Sequence, residues 1–572
     1  MVLSRMFITR SFVLLATLLM ATSNVFAKYR TNAEMKTIAG QVLLQNIDKA
    51  KPMGRTMELE LVKTNDQLAV FNADGYGFVV VNRNDNGRDV LAYSSTSYME
   101  DNMPAGFRWW LDATVEALAN GYTRDFQADV LKANATVENF LTTNWNQSDP
   151  YNDKCPEVTE GFRKVKAPTG CTATSMAQIL NYYKYPAKGK GKGGYYYVNS
   201  DALGQGIDTI GVEAPIDGVY QYDVLKDTYT SDETEKNAIS TLMFDCGKSA
   251  YMTYTSKESG STYYWAVRGI ANNFQYDPYA LELYERVFFD DAEWYDKVKR
   301  ELIDKRPIMY AALTKKNGGH SFLFTGINTE GLVWVNWGWS GLSDGWYAID
   351  QLKPNANLDF CVSHQMIIGF KPQPEPDKDE ENKSFWGFSE EENFAIRRAN
   401  KDAKIQQFVL YNFCWRDFNG RFYLVIENLD TNKAYSVFLT ETKENGVENS
   451  IQQYYGMRFV PENTIKQYYK KATSATIPAG NYRVSIQTQS YGESNLQPVR
   501  RSSNKSPYSW FTVDDSGNFE VSNDPPSTGI NEVMVDRQYS GASYTLKGVK
   551  INSDAPIMSK GLFIRENKIY AK

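Results

Sequence analysis

Residues 168–180 read Pro168-Thr169-Gly170-Cys171-Thr172-Ala173-Thr174-Ser175-Met176-Ala177-Gln178-Ile179-Leu180. Pro168 and Gly170 end any preceding element, and apolar residues then recur at helical spacing, so a helix is predicted to begin at Cys171. The positive end of a helix dipole favours thiolate over thiol, and thiolate is the nucleophilic form of cysteine. Cys171 is therefore a candidate nucleophile, although a cysteine considered alone is more often a buried structural thiol.

A thiolate nucleophile needs a base that can return the proton to a leaving amine near neutral pH, and imidazole is the group suited to that task. The chain contains two histidines. His320 follows Gly318 and Gly319 at the start of an apolar run, where the glycines permit close approach of a substrate backbone. His364 has no such setting and is predicted to be structural. His320 is therefore the predicted base.

Other polar and aromatic residues could support this pair. The Asn336 amide could hold the imidazole in its productive tautomer, and Trp337 could shield it from water. Tryptophans here could also simply pack a β-core, and the two roles are compatible. Gln147 lies upstream of Cys171 and could, with the backbone N–H of Cys171, stabilise a tetrahedral oxyanion. The order of cysteine, histidine and asparagine fits papain-like enzymes.

Four segments in this order resemble the streptopain family of papain-like cysteine peptidases, namely residues 146–152, 169–186, 319–322 and 335–345. The resemblance implies a papain-like fold and endopeptidase activity. Carried onto this chain, the family's site residues are Cys171 as nucleophile, His320 as base, Gln147 as oxyanion donor and Trp337 beside the histidine. Asn336 stands apart, because the family is often described as using a Cys–His dyad.

The sequence departs from the family pattern in one place and extends beyond it in another. The family's glycine-rich loop, which borders the substrate cleft, has no counterpart in residues 353–364. That departure bears on substrate specificity. The segments beyond residue 372 lie outside the core family.

Composition breaks divide the chain into units. Residues 1–27 carry a charged n-region, a short apolar run and a small-x-small site, which is typical of a signal peptide and too short for a membrane helix. Residues 28–132 resemble the family's inhibitory propeptide, and residues 133–372 form the predicted catalytic unit. After a linker rich in proline and acidic residues, alternating apolar positions in 385–522 predict a β-sandwich. A short β-rich tail, 529–572, resembles C-terminal sorting modules.

Hydrophobic periodicity predicts individual elements. Helices are predicted at 35–44, 106–120, 171–183, 235–246 and 292–304, and strands at 307–312, 321–326, 332–337 and 345–349. The predicted class is α+β, with a papain-like peptidase core, an N-terminal α+β inhibitory propeptide and a C-terminal β-sandwich. The glycine–lysine segment 189–194 lacks the spacing of a phosphate-binding loop and is predicted to be a flexible solvent loop.

Composition restricts the partners. A net charge of −6 argues against nucleic-acid binding, and 42% apolar with 14% aromatic residues can build sizeable cores. Two histidines and no CxxC pair make a zinc site improbable, and no cofactor is expected. Five cysteines leave at least one thiol unpaired, and the pairing of the others stays open. The expected partners are protein or peptide substrates and the chain's own propeptide, in a secreted or cell-surface protein without a stable membrane span.

Three functions fit these observations. The first is a secreted cysteine endopeptidase made as a zymogen. The second is an acyl-transferring thiol enzyme of transglutaminase or transpeptidase type, which passes the acyl group to an amine instead of water. The third is a catalytically inactive papain-like adhesin or inhibitor. The presence of every expected catalytic residue type favours an active enzyme.

Overall fold

The structure is a computed structural model of the 572-residue chain. It describes residues 29–46, 57–120 except 86, 131–200, 207–227, 229, 232–314, 318–350, 363–373, 386–388, 394–444, 447–501 and 506–522, with short strands between 543 and 571. The predicted signal peptide, most of the predicted linker and Cys361 lie outside the described residues.

The N-terminal unit combines helices with an antiparallel sheet. Its elements are α1 (Asn32–Gln45), β1 (Glu60–Thr64), β2 (Leu68–Ala73), β3 (Gly77–Asn82), β4 (Val90–Ser94) and α2 (Ala105–Ala119). Helix α1 begins at a capping box in which Thr31 and Glu34 satisfy each other's backbone N–H groups. The two helices predicted in this unit are confirmed.

The first half of the catalytic region contains helices and a small sheet. Its elements are β5 (Glu157–Glu160), β6 (Arg163–Lys166), α3 (Cys171–Tyr183), β7 (Lys192–Ser200), β8 (Ile207–Pro215), a 3-10 turn (Tyr222–Val224), α4 (Glu233–Ser249), β9 (Thr253–Tyr254), β10 (Ser259–Gly260) and α5 (Tyr263–Asn272). The sheet runs β10-β9-β7-β5-β6, with β8 also paired to β7. Helix α3 has the bounds that the sequence predicted.

The predicted solvent loop at 189–194 is wrong. Strand β7 begins at Lys192, and both glycines that follow are buried. A Cβ atom at Gly193 would lie 2.4 Å from the carbonyl oxygen of Lys248, so glycine is needed for β7 to approach the end of α4. The glycines allow close packing of backbone instead of flexibility.

The second half of the catalytic region completes a larger sheet. Its elements are β11 (Glu282–Glu285), a 3-10 turn (Arg286–Phe288), α6 (Asp291–Ile303), β12 (Ile308–Thr314), β13 (Gly318–Ile327), β14 (Val333–Asn336), β15 (Gly345–Tyr347) and β16 (Ser363–Ile368). Within the described residues the strand order is β1-β2-β3-β4-β15-β14-β13-β12-β16-β11. Strands of the N-terminal unit therefore continue the catalytic sheet, joined where β4 pairs antiparallel with β15.

Residues 386–522 form two further main sheets around a shared core. Their elements are β17 (Trp386–Phe388), β18 (Ile396–Ala399), β19 (Asp402–Ile405), β20 (Phe408–Asn412), β21 (Gly420–Asn428), β22 (Lys433–Glu441), β23 (Lys443–Glu444), β24 (Val447–Glu448), β25 (Gly456–Phe459), α7 (Ile465–Thr473), β26 (Gly480–Ser490), β27 (Gln497–Pro498), β28 (Arg500–Arg501), β29 (Ser509–Val513) and β30 (Phe519–Ser522). One sheet runs β25-β20-β17-β28 and the other β22-β21-β26-β29-β30, and side chains from both fill one core.

The C-terminal sheets dock on the catalytic region. Arg416 and Glu282, both nearly buried, form an ion pair at 3.0 Å, and the Trp415 indole N–H donates to the Leu281 carbonyl at 3.0 Å. The tail adds β31 (Ser543–Thr545), β32 (Lys550–Ile551), β33 (Leu562–Arg565) and β34 (Lys568–Ala571). The predicted α+β class is confirmed.

Candidate active site

The candidate nucleophile stands at the first residue of α3. Gly170 immediately before it has φ +85°, a conformation that favours glycine, and a Cβ there would lie 2.5 Å from the Ser259 carbonyl oxygen. The close contact with β10 fixes where the helix begins. Cys171 is partly exposed and lies at the positive end of the helix dipole.

The sulfur of Cys171 contacts the strand that carries His320. The backbone N–H of Ser321, the residue after His320, donates to Cys171 Sγ at 3.4 Å. Burial raises the pKa of the Cys171 thiol, and the N–H groups of Ser321 and Thr172 partly oppose that rise. In the described arrangement the thiol is therefore held in its protonated form at neutral pH.

Side-chain alternation along β13 decides which way His320 faces. Leu323 packs in the core formed with α3, whereas Phe322 and Phe324 pack in the core on the opposite face of the sheet. Because successive side chains alternate, the His320 ring is directed to the face of Phe322. Strand β13 thus places the main-chain N–H of Ser321 against the thiol. By the same alternation, the His320 side chain is expected on the opposite face of the strand.

Trp337 lies on that same face. Its ring centroid is 4.8 Å from that of Phe322, and its indole N–H donates to the Ser343 carbonyl at 3.1 Å. The backbone N–H of Trp337 donates to the Asp344 carboxylate at 2.8 Å. Burial raises the pKa of Asp344 to about 7, and the Trp337 N–H opposes that rise. Asp344 was not predicted as a site residue, and it carries no sequence signal beyond its place after the tryptophans.

Asn336 is engaged on all sides by structural contacts. Its Oδ1 accepts from the Gly338 N–H at 3.0 Å and from the Gln178 amide at 3.3 Å, and its Nδ2 donates to the Thr143 carbonyl at 2.8 Å. An amide oxygen has two lone pairs, so this arrangement leaves no acceptor on Asn336 for an imidazole N–H. Here Asn336 ties the end of β14 to α3.

Gln147 lies beside the segment that enters α3. Its carbonyl accepts the N–H of Thr169 at 2.9 Å, and its own N–H is bonded to the Asn146 side chain at 2.6 Å. The residue is partly exposed. The structure therefore brings Gln147 and the Cys171 loop together through backbone contacts.

Three buried hydroxyls beneath the thiol were missed by the sequence analysis. Ser321 donates to Ser175 at 3.0 Å, and the Tyr263 hydroxyl is 2.7 Å from Ser321. They connect β13, α3 and α5. Ser175 lies one helical turn after Cys171, and that spacing is the one sequence signal that could have pointed to it.

The N-terminal unit covers the face that carries Phe322 and Trp337. Helix α2 places Gly106 against the Trp337 ring, and the Trp109 ring lies 6.0 Å from Phe322 and 5.6 Å from His364. His364 is buried and its Nδ1 is 2.9 Å from the Tyr310 hydroxyl, in keeping with a structural histidine.

The same unit also holds the loop before β15. Ser94 donates to the Asp344 carbonyl at 2.6 Å, and the Ser343 N–H donates to the Thr96 hydroxyl at 3.0 Å. These bonds add to the pairing of β4 with β15. The N-terminal unit is therefore attached to the catalytic sheet at its edge, on one face and at this loop.

The remaining described cysteines have no catalytic setting. Cys155, Cys246 and Cys414 are buried. Burial raises the pKa of Cys155 to about 12 and that of Cys246 well above its ordinary value. In the described part of the chain, no group of three or more His, Cys, Asp or Glu residues could hold a metal ion, and no helix is long and apolar enough to span a membrane.

The thiol of Cys171 lies at the start of a helix and contacts the strand that carries His320. The other face of that strand is covered by the N-terminal unit. This arrangement is that of a cysteine peptidase precursor. Residues 145–347 match the Peptidase C10 family, and residues 29–118 match the Spi protease inhibitor family. The chain belongs to the Peptidase C10 family, which confirms the resemblance to streptopain. It is a cysteine-type peptidase with an N-terminal inhibitor segment, made as a zymogen.

Individual relatives agree with this membership. Streptopain of Streptococcus pyogenes is 27% identical over 335 residues, which cover 54% of this chain and 82% of that protein. The thiol protease/hemagglutinin PrtT of Porphyromonas gingivalis is 27% identical over 329 residues, covering 53% of this chain and 37% of that protein. The solved structure of a Prevotella intermedia prointerpain A fragment is 30% identical, covering 56% of this chain and all 100% of that one, with a TM-score of 0.48.

Proposed function

We propose that this chain is exported as a latent precursor and that its processed form hydrolyses peptide bonds through an acyl-enzyme on Cys171. The thiolate attacks the carbonyl carbon of the scissile bond and forms a thioester. His320 gives its proton to the departing amine. The neutral imidazole then takes a proton from the water that attacks the thioester carbonyl, and the C–S bond breaks to release the free acid. The thiolate and the protonated imidazole are thereby restored.

The observation that carries this proposal is the contact between Cys171 Sγ and the N–H of Ser321. It joins the helix with the candidate nucleophile to the strand with the candidate base. Residues far apart in sequence meet here, at the end of a sheet where solvent reaches both Cys171 and His320.

The remaining roles follow from position. We assign Gln147 and the backbone N–H of Cys171 as donors to the oxyanion, since Gln147 lies beside the loop that enters α3. Trp337 flanks His320 on the face of Phe322. Asn336 is assigned a positioning role, because it holds the Gly338 N–H next to Trp337 and contacts α3 through Gln178.

Latency in this proposal comes from the cover over the histidine face. Helix α2 packs on Trp337 and Phe322, and residues 94–96 hold the loop before β15. Removal of the inhibitor segment frees that face, and a main-chain rearrangement at the start of β13, residues 318–320, then brings the imidazole to Sγ and completes the pair. The imidazolium so formed stabilises the thiolate and lowers the thiol pKa.

Export rests on the predicted signal peptide at residues 1–27, with a secreted or cell-surface location as the consequence. The predicted junctions near 132 and 372 and the sorting-like tail at 529–572 belong to the same proposal. Mass spectrometry of the protein recovered outside the cells tests it by identifying both termini. A mature chain that begins at residue 1 would contradict export through cleavage after Ala27.

The decisive test is Cys171→Ala. It should abolish hydrolysis of casein and any self-processing, and an epoxide probe of thiol peptidases should label the processed wild type at Cys171 but not at Cys155. Hydrolysis that persists in the variant refutes the assignment. Adding a small amine separates hydrolysis from acyl transfer, because a transferase would give an amide product where a hydrolase gives the free acid.

A further inference from the structure

A row of partly exposed positions crosses the catalytic sheet beside the nucleophile. Ser321 on β13 pairs with Ala311 on β12, Ala311 pairs with Gln365 on β16, and Gln365 pairs with Glu285 on β11. Ala311, Gln365 and Glu285 are partly exposed, although the next residue towards the sheet interior on each strand is buried. Solvent therefore reaches three adjacent positions of the sheet, and the buried Ser321 stands between them and Cys171 Sγ.

This row, which we call the Glu285 row, lies on the face that carries the nucleophile. The next positions on the same face, Leu323, Met309, Ile367 and Leu283, form a buried core with α3 and α5. The Glu285 row stands just beyond that core, next to Tyr263 at the start of α5. Adjacent strands are about 4.8 Å apart, so Ser321 and Glu285 are separated by roughly 14 Å across the sheet.

The C-terminal domain closes the far end of the row. The Tyr454 hydroxyl donates to Glu285 Oε1 at 2.8 Å and accepts from the Gln365 amide at 3.3 Å. Tyr454 has φ +64°, a conformation that is costly for a bulky residue and that places it where it meets Glu285. A residue of the sandwich thus takes part in a surface that begins at the nucleophile.

Glu285 carries a carboxylate that the fold does not neutralise. Within the described residues, no lysine or arginine forms an ion pair with it, and its neighbour Arg286 is engaged by Asp291. Burial raises the pKa of Glu285, and the Tyr454 hydroxyl opposes that rise. A partly buried, unpaired carboxylate favours a cation that supplies charge and hydrogen bonds together.

We propose that the Glu285 row is a substrate subsite that selects a lysine or arginine side chain near the scissile bond, with Glu285 as the specificity-determining residue. The inference rests on the proposed function, since it takes the scissile bond to lie at Cys171. An extended peptide advances about 3.3 Å per residue. A residue two positions from the scissile bond lies roughly 7 Å along it, and a long basic side chain then reaches the carboxylate.

The test uses the processed full-length enzyme and paired peptides that carry either arginine or citrulline, its neutral isostere, at each position near the cleaved bond. Wild type should favour arginine at one of these positions, and Glu285→Gln should lower the arginine-to-citrulline ratio of kcat/KM about tenfold. Glutamine still accepts the Tyr454 hydroxyl, so domain docking is kept. Asp417→Asn, which removes a carboxylate paired with Arg268 at the same domain boundary, is the matched control and should keep the wild-type ratio.

Two further measurements keep the inference separable from the proposed function. In Cys171→Ala protein whose inhibitor segment has been removed by added wild-type enzyme, the arginine peptide should bind more tightly than the citrulline peptide by fluorescence anisotropy. Adding Glu285→Gln should remove the difference. Tyr454→Phe should shift the pH at which the arginine preference fades to a higher value, because it removes a donor to Glu285. Equal ratios in wild type and Glu285→Gln, or equal binding of both peptides, overturn the subsite. If the processed wild type hydrolyses no peptide but the protein still binds the arginine peptide more tightly than the citrulline peptide, only the peptidase mechanism is overturned.

Discussion

The substitution Gly106→Ala should weaken the packing of the inhibitor segment against the catalytic region. A Cβ atom at position 106 would lie 2.6 Å from Trp337 Cε3 and 3.0 Å from Cζ3, where 3.4–4 Å is an ordinary contact. The Trp337 ring cannot yield easily, since it packs on Phe322 and Tyr347 and its N–H is bonded to Ser343. Helix α2 must therefore move by about 1 Å, and overpacking of this kind costs ~1–3 kcal/mol.

Part of that cost is offset, because alanine is a better helix former than glycine by about 1 kcal/mol. The net loss at the interface is then about 0–2 kcal/mol, and its midpoint of about 1 kcal/mol corresponds to a roughly fivefold larger population of the open precursor. The assay is the rate at which an epoxide probe labels Cys171 in the intact precursor, with the rate of self-processing as a second readout. Both rates should rise by that factor.

Gly40→Ala provides the matched control. Gly40 lies in α1 of the same unit, and a Cβ there would meet only the Leu59 side chain, at 3.2 Å. This variant should label at the wild-type rate. If Gly106→Ala precursor labels and processes no faster than wild type while its thermal stability is unchanged, then the packing of α2 on Trp337 does not hold the precursor latent.

Three other predictions concern charge and burial. Burial raises the pKa of Asp344 from 3.8 to about 7, so its contribution to precursor stability is complete below about pH 4 and is lost as pH rises through about 7. Asp344→Asn should therefore flatten the pH dependence of the urea-unfolding free energy between about pH 4 and 7. Burial raises the pKa of the Cys171 thiol above 9.0 in the precursor, so iodoacetamide should alkylate it slowly at pH 7, and faster after the inhibitor segment is removed. Arg416→Ala should cost roughly 3–5 kcal/mol, measured by chemical unfolding, because it leaves the Glu282 carboxylate buried without its partner.

Each of these predictions has its own control. Asp430 is the control for Asp344, because hydrogen bonds from Asn481 lower the pKa of its carboxyl. Its contribution to the unfolding free energy should therefore change with pH in the opposite direction and be lost as pH falls. Cys155 should stay unlabelled in both forms. Arg421→Ala removes an exposed ion pair and should leave stability unchanged. Three results would contradict these predictions. They are a wild-type unfolding free energy that does not change with pH, an equal rate of Cys171 alkylation before and after processing, and an Arg416→Ala variant as stable as wild type.

The helices were the most predictable part of the fold. Helix α3 has its predicted bounds, and the predictions at 106–120 and 292–304 differ from α2 and α6 by one residue at each end. Helix caps and the spacing of apolar residues depend on neighbours a few positions apart, so helices can be predicted from short stretches of sequence. The small sheet β5–β10 and helix α5 were not predicted. Strands β5, β6, β9 and β10 have only two to four residues each and carry little periodic signal.

The sequence predicted residues for the candidate site but not how they are arranged. Motif order pointed to Cys171 and His320, and the structure brings Cys171 against the residue after His320. The engagement of Asn336 by Gln178, Gly338 and Thr143 depends on packing between separate elements, and no local pattern reports it.

By itself, the sequence determined the helix that begins at Cys171 and the order of the motifs, because propensity, caps and spacing act over short distances along the chain. Only the tertiary structure decided that β4 joins β15, so that the inhibitor segment extends the catalytic sheet, and that Tyr454 of the C-terminal domain meets Glu285. The physical reason is that strand pairing uses backbone N–H and C=O groups that nearly all residues share. The identity of a partner strand is therefore set by the packing of the whole chain.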